Sequence, residues 1–221
     1  MADIVILDGV RTAIGTFGGA LAGTSPIDLG SIVAKEAIAR SGIEPEQVEN
    51  VVFGHVINTE PRDMYLSRAA SIAAGVSEET PAMNVNRLCG SGLQAIVSSA
   101  QSLMAGDASF ALAGGSESMS RSPYIVPTIR WGQKMGDAGA TDMMLGALNC
   151  PFGTGHMGVT AENVAAEYDI TREAQDAFAL QSQERALKAI NEGYFKSQIV
   201  PVEVKVKRNI VAFDTDEHPK A

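Results

Sequence analysis

The sequence predicts an α/β fold, a sheet with helices on both faces. Short apolar runs rich in Val and Ile alternate with longer stretches whose apolar residues recur at helical spacing, in the order β-α-β-α-β-α-β through Gly115. The first two helical stretches close on glycine, and the first opens on a capping serine. The third stretch follows a strand and a tight turn at Cys89, beyond the carboxyl end of a strand, where ligands of such sheets sit.

Taken in order, Asp3-Ile4-Val5-Ile6-Leu7-Asp8 is nearly continuous in apolar residues, as expected of a central strand covered on both faces. Arg11 to Gly19 is a Gly-rich loop without P-loop spacing, and its first glycine does not open a helix as a dinucleotide fingerprint requires. Ser25-Pro26 reads as an N-cap with Pro at the first helical position, Leu29, Ile32, Val33 and Ile38 as the buried face, and Gly42 as the stop. Val51 to Ile57 is the second strand, Met64 to Ala74 the second helix, ended by Gly75, and Ala82 to Asn86 the third strand. After Cys89, the residues Leu93, Ile96, Val97, Ala100, Leu103 and Met104 predict an apolar helix face. Ser109 to Gly115 is a further strand.

From Ser116 to Phe152 the text loses periodicity and gains Gly, Ser, Met and Pro, so it reads as a surface excursion. Thr160 is expected to cap a short helix through Glu167. Thr171 is expected to cap a longer one ending near Gly193, with Ala177, Leu180, Leu187 and Ile190 on one face. Ile199 to Val206 alternates as a half-exposed strand, and Asp214 to Ala221 is a polar tail with no terminating structure. There is no internal repeat and no low-complexity tract.

With 221 residues, 45% of them hydrophobic, the chain is long enough for one large domain or two small ones. A net charge of −9 and the absence of any Lys/Arg run argue against nucleic acid and anionic membranes as partners. No apolar stretch approaches a membrane span, and Met1-Ala2-Asp3 leads straight into the first apolar run, without a secretory or transit signal. Two cysteines, Cys89 and Cys150, make no disulfide framework, which fits a reducing, cytoplasmic setting.

Cys89 has two readings. A lone cysteine is most often an inert small hydrophobe. Against that, the strand–Cys-Gly-x-Gly–helix setting is similar to a nucleophile elbow, and a helix start favours a thiolate. Gly90 and Gly92 are expected to let the backbone turn sharply and to leave room for a substrate at sulfur. On these residues alone both readings stand. Cys150 reads as a loop cysteine. A metal site from His55, Cys150 and His156 would draw on ligands at unlinked spacings and is rejected.

Four motifs settle more. Arg11-Thr12-Ala13-Ile14-Gly15-Thr16-Phe17-Gly18-Gly19, then Asn84 to Ile96 around Cys89-Gly90-Ser91-Gly92-Leu93-Gln94-Ala95, then Gly114-Gly115-Ser116-Glu117-Ser118-Met119-Ser120, and finally His156 to Ala165 all resemble thiolase motifs, in family order. The resemblance implies an N-terminal βαβαβαββ half (a mixed sheet with helices on both faces), an inserted loop domain and a similar C-terminal half. On that pattern residues 1–117 form the N-terminal α/β domain and 118–221 the loop domain, cut short.

The resemblance also implies reversible Claisen chemistry on coenzyme A thioesters, with acetyl-CoA and other acyl-CoA as substrates and no metal or redox cofactor. Cys89 matches the family's acyl-accepting nucleophile, and its N–H would be one donor to the oxyanion. His156 and Met157 match positions lining the pantetheine channel, where a solitary His between glycines would otherwise read as structural. The His-Met pair is similar to biosynthetic acetyl-CoA acetyltransferases, whereas many degradative members have Pro-Met. The stretch Trp131 to Leu148 is similar to bacterial β-ketothiolases. A homodimer or homotetramer is implied, with the Trp131 loop as the contact for tetramers.

The departure from the family is large, because members are nearly twice as long. Their second half carries a Gly-His-Pro histidine, a Cys-x-Gly-Gly cysteine and an Asn-Glu-Ala-Phe motif. Here the only His-Pro is His218-Pro219, preceded by Glu217, and Cys150 is not followed by glycines. The chain is therefore expected to be the N-terminal portion, inactive alone in condensation. A degradative thiolase, a ketoacyl synthase of related fold and a non-catalytic CoA-binding fragment are the competing readings.

Overall fold

The computed structural model describes residues 3–220. Two compact units are formed, one from Met1–Arg121 with Phe195–His218, the other from Ser122–Tyr194 with Pro219–Ala221.

In the first unit the order is β1 (Arg11–Thr12), α1 (Pro26–Ser41), β2 (Asn50–Gly54), α2 (Leu66–Ala73), β3 (Ala82–Val85), α3 (Ser91–Ala105) and β4 (Ala111–Gly115). Strands β3, β2 and β4 form a parallel sheet with β2 in the middle, registered Val52 to Met83 on one side and Val52 to Ala113 on the other. Because successive side chains of a strand point to opposite faces, β2 addresses two layers. Val51 and Phe53 join Ile27, Ala34 and Ile38 of α1 and Leu66 of α2 in one apolar cluster. Gly54, on the other face with Val52, lies against the start of α3. Helices therefore cover both faces, as the alternation of runs predicts.

The caps hold as well. The Ser25 hydroxyl accepts from Asp28 N–H at 3.1 Å, Pro26 is the first helical residue, and Gly42 ends α1 in the left-handed region at φ 74°. The second helix opens instead with a 3-10 turn over Pro61–Tyr65, since Pro61 sits at its first position.

Two expectations fail here. Residues 3–10 take no strand structure, and Val5 and Ile6 are 69% and 79% exposed. They run beside a cavity of about 910 Å³ walled by α1, α3 and β4, and among the described residues β4 pairs only with β2. Strand propensity without a partner edge leaves backbone groups to water. The apolar stripe expected to be buried on α3 faces outward, with Leu93 70% and Met104 62% exposed, while Ser91, Ala95 and Ser99 are buried. A Cβ on Gly54 would lie only 2.6 Å from the Ser91 carbonyl carbon, so helix and sheet approach too closely for large side chains between them.

The polar tail is also not free. Arg11 pairs with Asp216 through two hydrogen bonds of 2.7 and 2.9 Å, and Asp216 accepts Ile14 N–H at 2.8 Å. Glu217 accepts Thr16 N–H at 2.8 Å and the Ala20 N–H. This clamp closes the Arg11–Gly19 loop so tightly that a Cβ on Gly19 would clash with the Glu217 carboxylate. Strand β1 continues beside the chain's later part, pairing in parallel with β9 (Ile199–Val200). Pro201 interrupts the expected long strand, and Val202–Val206 pairs antiparallel with Asn209–Phe213 (β10 and β11).

The second unit holds short pairs β5 (Tyr124–Ile125) with β6 (Thr141–Asp142) and β7 (Asn149–Cys150) with β8 (Gly155–His156). It also holds α4 (Met143–Leu148), α5 (Met157–Glu167) and α6 (Arg172–Asn191). Thr171 caps α6 as expected, accepting from Ala174 N–H at 3.2 Å. Leu180 of α6 is 62% exposed.

Candidate active site

Cys89 is a free, exposed thiol on the turn between β3 and α3. The turn is built by backbone hydrogen bonds from Gly90 N–H to the Arg87 carbonyl at 3.0 Å and from Ser91 N–H to the Leu88 carbonyl at 2.9 Å. Leu88, not a glycine, adopts the left-handed conformation, at φ 46°. That corrects the expectation that Gly90 and Gly92 make the sharp bend: Gly90 has φ −90°. A bulky residue held there costs of order 1–3 kcal/mol and persists only where its surroundings over-determine it. Those surroundings are visible. Ser91 Oγ accepts Arg87 N–H at 2.8 Å and donates to the Leu88 carbonyl at 2.6 Å, and Asn86 Oδ1 accepts Leu88 N–H at 3.0 Å. A Cβ on Gly92 would find nothing within 4 Å. Space is left open beside the helix start.

His156 and Met157 belong to the second unit. The helix α5 begins at Met157 rather than after Thr160, because His156 is its N-cap. Its Nδ1 accepts Gly158 N–H at 3.0 Å, which requires that nitrogen to be bare and leaves Nε2 as the ring's donor. Met157 is partly exposed in the first turn. Cys150, half-buried in β7, has its thiol held below the usual range, first by the Thr154 hydroxyl and then by the N–H groups of Thr154 and Phe152. Among the described residues no group of three His, Cys, Asp or Glu side chains could hold a metal ion.

Sequence reasoning missed two contributors to the site. Leu88 gives no signal of positive φ by its residue type. Ser91 was legible only as part of a motif, although Ser three residues after a turn carbonyl is a known backbone-bonding pattern.

A strand ending in a strained turn that offers a free thiol at a helix start is the setting of Cys89 in this α/β scaffold. The comparisons place it: the chain belongs to the thiolase family, matching the description "Thiolase, N-terminal domain" over residues 4–221. It is 60% identical over 216 residues to a protein of Cupriavidus necator named beta-ketothiolase BktB, covering 98% of this chain and 55% of that one. It is 44% identical to the acetyl-CoA acetyltransferase of Escherichia coli, covering 100% of this chain and 56% of that one. The crystal structure of the Bacillus anthracis acetyl-CoA acetyltransferase superposes with a TM-score of 0.94 at 43% identity, over 98% of this chain and 55% of that one. The chain thus spans about half the length of the curated relatives it matches.

Proposed function

We propose that this chain carries the acyl-accepting nucleophile of an acetyl-CoA C-acetyltransferase (β-ketothiolase), with Cys89 in that role. The observation that carries the reading is the strained Leu88 turn, which presents a free, exposed Cys89 thiol at the start of α3 with open space at Gly92. Cys89 sulfur attacks the thioester carbonyl of an acyl-CoA, the new S–C bond forms, the C–S bond to coenzyme A breaks, and coenzyme A leaves taking the proton. A second acetyl-CoA, deprotonated at its α-carbon, then attacks the acyl carbonyl; the new C–C bond forms, the C–S bond to Cys89 breaks, and the 3-ketoacyl-CoA leaves with Cys89 released as the thiolate. The Cys89 N–H is assigned to the oxyanion, and His156 and Met157 to the pantetheine arm. His156 is fitted for this because capping α5 with Nδ1 leaves Nε2–H as a donor.

Relatives of nearly double length support a further part of the proposal: the base for the α-proton is supplied by sequence beyond these 221 residues. Condensation by this chain alone is then slow or absent. The reading calls for no metal or redox cofactor. A cytoplasmic setting agrees with two free cysteines, and no helix of the described residues is long and apolar enough to cross a membrane. Assembly into a homodimer or homotetramer is part of the same proposal, supported by the exposed Trp131 and Met135.

The test is acyl transfer without condensation. Acetyl-CoA incubated with the protein should release coenzyme A in a stoichiometric burst, followed by chromatography, and Cys89→Ser should abolish it. A burst that survives in Cys89→Ser contradicts the assignment.

A further inference from the structure

Beneath the Cys89 turn lies a buried histidine that the chemistry above does not use. We propose that His55 is a positioning residue for Cys89, acting through the loop Gly54–Ile57 by donating from Nδ1 to the Ser116 carbonyl. The inference rests on the reading of Cys89 as the nucleophile.

His55 is only 4% exposed and follows β2 directly. Its Nδ1 lies 2.8 Å from the Ser116 carbonyl oxygen, which can only accept, so Nδ1 carries a proton. Ser116 N–H in turn donates to the Gly54 carbonyl at 3.1 Å, so the ends of β2 and β4 are tied twice. The next residue, Glu117, accepts the N–H groups of Val56 at 2.9 Å and Ile57 at 3.1 Å. Across the ring, Nε2 faces the fully buried Asp63 carboxylate at 3.9 Å, beyond direct hydrogen-bond reach. Asp63 itself holds Thr59 N–H, the Thr59 hydroxyl and Glu60 N–H. The loop after β2 is therefore fixed by three side chains, with the His55 ring between the two carboxylates.

The other side of that loop is the support of the nucleophile. His55 N–H donates to the Val85 carbonyl at 3.1 Å, where β3 ends. Asn86, whose Oδ1 holds Leu88 N–H, donates from Nδ2 to the Val56 carbonyl at 3.4 Å. Gly54 lies so close that a Cβ would meet the Ser91 carbonyl carbon at 2.6 Å and Gly92 N at 2.8 Å. A loop that shifts when Nδ1 loses Ser116 displaces the Cys89 turn directly, because close-packed elements leave no slack between them.

Two substitutions separate this from simple packing. Asparagine places an amide N–H near the position of ring Nδ1, and glutamine places it near Nε2. His55→Asn should keep the rates of Cys89 alkylation by iodoacetamide and of acetyl transfer from acetyl-CoA close to those of the unmodified protein. His55→Gln should slow both by about tenfold or more, since misplacing a reacting group by an ångström costs up to about a hundredfold. Nitrogen NMR of the His55 ring in the unmodified protein should show the proton on Nδ1. A proton on Nε2 alone, or His55→Gln reacting as fast as His55→Asn, overturns the inference, and the ring spectrum decides even if a variant fails to fold. Failure of acetyl transfer in the unmodified protein, with alkylation still following the His55 variants, counts against the assigned acyl chemistry and in favour of the positioning role.

Discussion

Ser91 reaches back over the turn that carries Cys89: its hydroxyl accepts Arg87 N–H and donates to the carbonyl of Leu88 at 2.6 Å, closing the one strained backbone position of the site. Ser91→Ala removes both side-chain bonds, so Arg87 N–H loses its partner while the Leu88 carbonyl keeps only Ser91 N–H. The expected cost is about 1–3 kcal/mol in urea unfolding, with slower acetyl transfer to Cys89. Loss of stability at unchanged transfer would mean that the hydroxyl serves the fold alone.

Gly54→Ala tests the support of that turn. With Ser91 and Gly92 backbone atoms at 2.6 and 2.8 Å from the new Cβ, sheet and helix must separate. Overpacking of this kind costs about 1–3 kcal/mol. Melting of the variant should fall accordingly, and a wild-type melting curve would show that α3 is not seated on β2 as described.

His156→Ala should lose the α5 cap, at about 0.5–2 kcal/mol, whereas His156→Asn retains a capping side chain. If the imidazole holds the pantetheine arm, Asn restores stability but not affinity for acyl-CoA, read by titration calorimetry. Equal affinity in Asn and wild type would remove His156 from the binding site.

The Arg11–Asp216–Glu217 clamp makes stability depend on acid. Both carboxyls are held below their ordinary values, Asp216 first by the Arg11 guanidinium and Glu217 first by Thr16 N–H. Groups depressed in the folded state contribute stability above their unfolded values and lose it as pH falls through the folded ones. Unfolding free energy should therefore decline on the acid side of the ordinary carboxylate range. Asp216→Asn should be less stable near neutrality and should converge with wild type in acid. Parallel curves would show that the clamp does not titrate with folding.

Much of this was legible. Helix starts at Ser25 and Thr171 and the stop at Gly42 follow from local chemistry that needs no tertiary partner. The thiolase motifs single out Cys89 and the His156-Met157 pair as candidates by pattern. What pattern cannot supply is which edge or face finds a neighbour. Ile4 to Leu7 has the composition of a central strand, yet among the described residues it pairs with no strand. Leu93 and Met104 make an apolar stripe, yet the close approach at Gly54 selects the small face of α3 for burial. Asp216 and Glu217 look like a solvated tail because their partners lie some two hundred residues earlier, at Arg11 and Thr16.

The central claim is that Cys89 accepts the acyl group, and one measurement addresses it most directly. The protein is exposed to acetoacetyl-CoA, digested, and mapped by tandem mass spectrometry, with Cys150 as the internal comparison. The account predicts acetyl on the peptide bearing Cys89, removed by added coenzyme A. Acetyl confined to Cys150, or no thioester adduct at all, would contradict it.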